Sequence, residues 1–138
     1  MECSAFELNA ENILKTLHLT NSWRENSGGI VTFYRALMDA ADRRGHSMTL
    51  VVPGAEDKLE SVGKHGLVYS VRSRPAPLNG AAYRIILPGA YLGRRSRLRQ
   101  IVDAEQPDLL EVCDKYTLNY FAGMLRAGRW EMCAAAGW

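Results

Sequence analysis

Residues 26–53 read Asn-Ser-Gly-Gly-Ile-Val-Thr-Phe-Tyr-Arg-Ala-Leu-Met-Asp-Ala-Ala-Asp-Arg-Arg-Gly-His-Ser-Met-Thr-Leu-Val-Val-Pro, and no other stretch limits the possible folds so strongly. Apolar residues at Ile30, Phe33, Tyr34, Leu37, Met38 and Ala41 follow the i, i+3, i+4, i+7, i+8, i+11 series of one helical face. Gly45 stops that helix as a left-handed C′ residue, a conformation that costs glycine nothing. Met48 to Val52 is a mostly apolar run closed by Pro53-Gly54, the pattern of a strand covered on both faces. Glycine loop, amphipathic helix, tight stop and buried strand together make half of a βαβ unit.

Ser27-Gly28-Gly29 stands directly in front of the helix. A helix N-terminus offers unpaired backbone N–H groups and about half a positive charge, and two glycines remove the side chains that would hold an anion away. The loop therefore suits a phosphate. The same residues also serve as an ordinary cap, with Ser27 on the first N–H groups and the glycines making the turn.

The rest of the chain extends the pattern. Ile13 to Thr20 is a first strand. Leu67 to Arg72 is a third, after a charged, glycine-dotted segment that ends at Gly66. Residues 73–93 hold Pro75, Pro77, Gly80, Pro88, Gly89 and Gly93, too many breakers for a regular element, so a long crossover loop is expected with Tyr83 to Leu87 as a short extended piece. Tyr91, Leu98, Ile101 and Val102 mark a second helix, stopped at Gln106-Pro107-Asp108. Leu109 to Cys113 is a fourth apolar strand, ending at Asp114. Leu118, Phe121, Ala122 and Leu125 form a third helix that Thr117 could cap. Residues 1–12 read as a tail, 13–126 as one Rossmann-like domain and 127–138 as an irregular C-terminal tail without a clear strand.

Alternating strands and helices with apolar strands imply an α/β fold, a Rossmann-like parallel sheet with flanking helices. Ligands of such sheets bind beyond the carboxyl ends of the strands. The Ser27-Gly28-Gly29 loop, the turn after Pro53, and Asp114-Lys115-Tyr116 all fall on that edge.

Composition closes off other classes. The net charge of +2 comes from mixed acids and bases, so the chain as a whole has no basic field for nucleic acid. Arg94, Arg95, Arg97 and Arg99 cluster within six residues, either as a solvated helix face or as a contact for phosphate or anionic lipid. Cys3, Cys113 and Cys133 are widely spaced and match no zinc or disulfide framework, so no metal is expected and a reducing cytosol is the simplest home. Met1-Glu2-Cys3 lacks the basic start of a signal peptide, and no apolar run approaches the ~20 residues of a membrane span. His18 lies inside a strand and His46 just after a helix stop, so both read as structural. Glu111 alternates with apolar neighbours and should face a polar one.

Taken in order, Leu17-His-Leu-Thr20, Ser27-Gly-Gly-Ile30, Leu37 to Val52 with Arg44-Gly-His46, and Gln106-Pro-Asp-Leu-Leu-Glu-Val112 resemble the N-terminal domain of family 4-like glycosyltransferases of the GT-B fold, over roughly residues 14–126. The resemblance implies a retaining, hexosyltransferase-like enzyme that moves a sugar from a nucleotide diphosphate sugar to a sugar or lipid-linked acceptor. No cofactor is implied beyond that donor substrate. It makes Ser27, Gly28 and Gly29 the donor-phosphate loop and Asp114 and Lys115 cleft candidates. Arg94, Arg95 and Arg97 are candidates for an anionic acceptor. It further implies a cytoplasmic protein, in peripheral contact with the inner membrane surface. Its donor-binding C-terminal domain is missing from these residues, so the chain is expected to be a truncated fragment, inactive alone. The alternative is a non-catalytic phosphate-binding or interaction module with the same fold. A dinucleotide-binding Rossmann enzyme is disfavoured, because the glycines come about eight residues too late and lack the Gly-x-Gly-x-x-Gly spacing.

Overall fold

The computed structural model describes residues 13–24, 28–76, 83–114, 117–127 and 134–136. In chain order the elements are β1 (Lys15–Thr20), α1 (Gly28–Arg43), β2 (Ser47–Gly54), β3 (Lys58–Val62), β4 (Gly66–Arg72), β5 (Arg74–Pro75), β6 (Arg84–Ile85), a 3-10 turn (Pro88–Ala90), α2 (Arg97–Glu105), β7 (Leu109–Cys113), α3 (Leu118–Ala127) and β8 (Ala134–Ala136). Six strands form one sheet in the order β3-β4-β2-β1-β7-β8. All pairs are parallel except the β3–β4 hairpin. The fold is the α/β, Rossmann-like architecture that the periodicities imply.

Alternation along β1 and β7 divides the sheet into two unlike faces. Leu17, Leu19, Leu110 and Val112 point to one side, where they join Ile101, Val102, Leu118, Phe121 and Leu125 of α2 and α3 in the larger core. On the other side Met48, Leu50 and Val52 of β2 meet Tyr34 and Met38 of α1. Thr16, His18 and Thr20 share that second side with Glu111 and Cys113, through the registers His18↔Glu111 and Thr20↔Cys113. The α1 side is thus apolar over β2 and polar over β1 and β7.

Several expectations are adjusted. The buried stripe of α1 is Val31, Tyr34 and Met38, with Leu37 only partly buried and Phe33 57% exposed. Periodicity fixes the width of such a stripe, but the sheet selects its centre, and Phe33 is left edge-on against Tyr34 at 5.2 Å between centroids. Residues 58–62 form a strand that the sequence reading passes over, because every residue of this charged edge strand is exposed and leaves no apolar alternation. Ala134–Ala136 pairs with β7 inside the stretch read as lacking a clear strand. Alanine has little strand preference of its own, so this pairing is a matter of tertiary context. β2 also continues through Pro53, whose missing N–H is harmless. Ser47 N–H donates to Leu14 and Met48 N–H to His65, so by alternation Pro53 faces β1 beyond the last paired residue, Val51.

Gly45 adopts φ +75° and ends α1 as expected. α2 ends at Glu105 with Gln106 at φ 45°, its N–H bonded to Val102 O. Asp108 then fixes β7 against β1: its carboxylate accepts the Lys15 N–H at 2.9 Å and its own N–H donates to Lys15 O.

Candidate functional site

Strand order locates the crevice. From β1 the chain moves outward through β2 to β4, then returns across the sheet to β7 on the opposite side of β1. The strand order therefore reverses between β1 and β7, and an open α/β sheet offers its ligand crevice beyond the carboxyl ends at that point. β1 ends there at Thr20, and β7 ends there at Cys113.

α1 begins at Gly28 on this edge. Both Gly28 and Gly29 are exposed, and neither has the positive φ that would demand glycine. A Cβ placed on either would meet nothing within 4 Å. Gly66 differs, since a Cβ there would collide with the Val62 carbonyl and come within 2.9 Å of Met38 Cε. Nothing in the described chain thus requires glycine at 28 or 29, although each weakens the helix by up to ~1 kcal/mol relative to alanine. Ser27, the third residue of the expected loop, lies outside the described residues, as does Lys115.

Asp114 follows β7 and is buried. Its Oδ2 accepts the N–H groups of Thr117 (2.7 Å) and Leu118 (2.8 Å), the first donors of α3. Asp114, rather than Thr117, supplies the side-chain cap of this helix. The Thr117 hydroxyl instead donates to Ile86 O at 3.1 Å, while Asn21 Oδ1 accepts the Ile86 N–H at 2.9 Å. The crossover segment is therefore clasped from both sides of the crevice. Asn21 was missed by sequence reasoning; the available signal was a polar residue placed directly after an apolar strand on the ligand edge. Asn21 Nδ2 and Asp114 Oδ1 are both buried without a hydrogen-bond partner, leaving one donor and one acceptor unsatisfied at this edge.

The arginines separate into different roles. Arg94 and Arg95 are exposed in the turn before α2. Arg97 packs its guanidinium over Tyr69, 5.7 Å from the ring centroid, and lies 4.0 Å from Asp57. Tyr69 in turn donates to Glu105 at 2.6 Å, and its pKa is pushed up to about 12, first by burial and then by that carboxylate. Arg99 pairs with Asp103 along the helix. Arg94, Arg95 and Arg97 all precede or open α2 at the carboxyl edge, on the face opposite α1.

Beneath α1, His18 Nδ1 stands 3.0 Å from Glu111 Oε2, and Nε2 is 3.1 Å from Thr16 Oγ1. Glu111 faces the polar neighbour that its alternation implied. Burial lowers the His18 pKa, and the Glu111 carboxylate opposes that shift without overcoming it. The Tyr34 hydroxyl reaches Thr20 and Cys113, and its pKa is raised by burial first and then by Cys113 and Glu111. His46 accepts the Leu14 N–H at 3.2 Å, a structural role. Among the described residues, no three His, Cys, Asp or Glu side chains are grouped to hold a metal ion, and no helix is long and apolar enough to cross a membrane.

Comparison with known proteins gives the family. A family model described as Glycosyltransferase Family 4 matches residues 27–132, which begin at the mouth of α1 and include β7 and Asp114. Two curated relatives, from the H37Ra and CDC 1551 strains of Mycobacterium tuberculosis, are each described as a GDP-mannose-dependent alpha-(1-6)-phosphatidylinositol dimannoside mannosyltransferase. Each is 27% identical over 117 residues, covering 85% of this chain and 27% of the relative. The chain therefore spans about a quarter of the length of the curated relatives it matches. No solved structure matches it.

Proposed function

Because the chain belongs to glycosyltransferase family 4, we propose that it is the acceptor-side domain of a retaining transferase that moves a hexosyl group from a nucleotide diphosphate sugar to a lipid-linked sugar acceptor. The observation that carries this reading is the mouth of α1: two exposed glycines with ordinary helical backbone, facing open space on the switch-point edge. Glycine there serves the close approach of something outside the chain, and the free N–H groups of a helix start suit a diphosphate. Their hydrogen bonds would strengthen as negative charge grows on the leaving nucleotide, the condition for lowering a barrier rather than merely binding donor.

On the acceptor side, Asn21 and Asp114 follow β1 and β7 on this edge, with Asn21 Nδ2 and Asp114 Oδ1 buried and without a hydrogen-bond partner. The class of donor and acceptor follows the relatives' descriptions, which name GDP-mannose and a mannosylated phosphatidylinositol. Cytoplasmic residence beside a membrane surface belongs to the same reading. These 138 residues form one wall of a cleft, and orientation of donor against acceptor can supply roughly 7–11 kcal/mol of barrier lowering. The chain by itself is accordingly proposed to be inactive.

The test combines the purified chain with a separately expressed C-terminal half of a matching relative, GDP-mannose and a lipid-linked acceptor. Transfer by the pair but not by either half supports the reading. A pair that binds nucleotide sugar yet never transfers it would leave a phosphate-binding module instead.

A further inference from the structure

β3 closes the sheet on the β4 side, and all five of its residues are exposed. Both of its ends are nevertheless held. At the turn, the Asp42 carboxylate near the end of α1 accepts the N–H groups of Lys64 (3.1 Å) and His65 (2.8 Å). At the other end Asp57, the residue before the strand, accepts the Arg72 N–H at 2.8 Å. Between them the ladder with β4 runs unbroken from Lys58↔Ser70 to Val62↔Gly66. An antiparallel strand turns the N–H and C=O groups of alternate residues away from its partner. The outer side of β3 is therefore a fixed row of donors and acceptors with no neighbouring strand among the described residues. Its side chains divide by face. Leu59, 52% exposed, lies opposite Tyr69 on the α2 side, and Glu60 lies opposite Val68 on the α1 side. Lys58 shares the α1 side with Glu60, and the two pair along the strand at 2.6 Å.

We propose that β3 pairs antiparallel with β3 of a second copy of this chain, about a two-fold axis through Leu59, so that two sheets join into one. In that register Lys58 lies opposite Glu60 of the second copy and Glu60 opposite its Lys58, while the two Leu59 side chains meet on the other face, beside Tyr69. The four charges then alternate in sign both along each strand and across the axis, and cross-strand pairs of opposite charge stabilise a ladder. A two-fold axis through Lys58 would set lysine against lysine, and one through Glu60 would set glutamate against glutamate. An axis through Ser61 would leave Glu60 facing Val62. Charges on an edge strand ordinarily keep it from pairing; here they exclude the neighbouring registers and favour this one. The contact is isologous, with the same five residues on both sides. It runs the parallel strands of the two copies in opposite directions, so their carboxyl edges point away from each other and neither crevice is covered. The pairing is independent of the proposed sugar transfer.

Sedimentation velocity of the 138-residue chain over a concentration series tests the pairing. Five paired residues make a small contact, of the weak class below about 1,200 Å² in total, so a reversible monomer–dimer equilibrium is expected. Amide exchange of residues 58–62 should slow as the concentration rises. Glu60→Lys sets lysine against lysine across the axis, and Lys58→Glu sets glutamate against glutamate; each should raise the dimer Kd about tenfold. An equimolar mixture of these two variants should associate at least as tightly as the original chain, because every pair across the axis is again of opposite sign. The exchange Lys58→Glu/Glu60→Lys within one chain should restore association in the same way. These positions are exposed, so melting curves should not move; Leu59→Lys, which brings two lysines together at the axis, serves if a charge variant fails to fold. A chain that stays monomeric up to about 1 mM overturns the proposal. So does an association that Glu60→Lys and Leu59→Lys both leave unchanged, which would place the contact elsewhere on the molecule, or a mixture no tighter than either variant alone.

Discussion

Two helices start on the same edge of the sheet, and they start differently. α3 opens closed: the Asp114 carboxylate takes the N–H groups of Thr117 and Leu118, and the Thr117 hydroxyl is committed to Ile86. α1 opens on two exposed glycines, where a Cβ would meet nothing within 4 Å. The sheet faces beneath them differ in the same sense. The α3 side is a continuous apolar core, whereas the α1 side carries His18, Glu111, Thr20 and Cys113 under Tyr34. One side is built to hold the fold together, and the other opens its helix on glycines that leave room beside it. A start already satisfied by its own carboxylate has no use for an anion, whereas one that opens on two exposed glycines gives an anion room to approach.

The largest effect expected is on the α3 side. Leu110 is buried in the larger core, so Leu110→Ala should destabilise by ~3–5 kcal/mol in denaturant melts, within the range for well-packed leucines. Leu37 on α1 is only partly buried, and Leu37→Ala should cost roughly 1–2 kcal/mol. Equal losses would show that the two faces are equally packed. Gly29→Val should instead leave the melt within about half a kcal/mol while lowering transfer by the reconstituted enzyme ~10²–10³-fold, the usual consequence of disabling a preorganised donor to a developing anion. Normal turnover would reduce the glycines to a turn.

Capping offers a finer test. Asp114→Ala should destabilise by ~1–2 kcal/mol through loss of the α3 cap. Gly28→Ala should be neutral or stabilise by a few tenths of a kcal/mol, because alanine favours helix and meets nothing there. The smallest effect is the titration of His18. Burial lowers its folded pKa below the ordinary 6.5, so its contribution is complete above that value and is lost as pH falls through the lower folded pKa. Denaturant midpoints should decline with acidification below pH ~6.5, and His18→Gln should remove that component. Glu111→Gln should deepen the decline, since the carboxylate is what holds the His18 pKa up.

The sequence disclosed whatever had a period or a punctuation mark. Short apolar runs gave β1, β2, β4 and β7, the 3.6-residue stripes gave three helices, and Gly45 marked the end of α1. An exposed charged strand such as 58–62 has no period, and Ala134–Ala136 has almost no preference of its own, so their places in the sheet are tertiary facts. The glycine mouth was legible because glycine before a helix is a local signal. The clasp of Ile86 by Asn21 and Thr117 was not, since it joins residues 65 and 31 positions apart. That Asp114, read as a cleft candidate, caps α3 is seen only once the direction of each carboxylate oxygen is known.

Titration of the ¹⁵N-labelled chain with GDP-mannose, followed by amide chemical shifts, tests most directly whether α1 rather than α3 is the anion-binding helix start. The expected result is a saturable shift of the Gly28, Gly29 and Ile30 amides with Thr117 and Leu118 unmoved, reproduced by GDP and lost in Gly29→Val. Shifts confined to Thr117 and Leu118, or shifts at Gly29 that survive the valine, would contradict it.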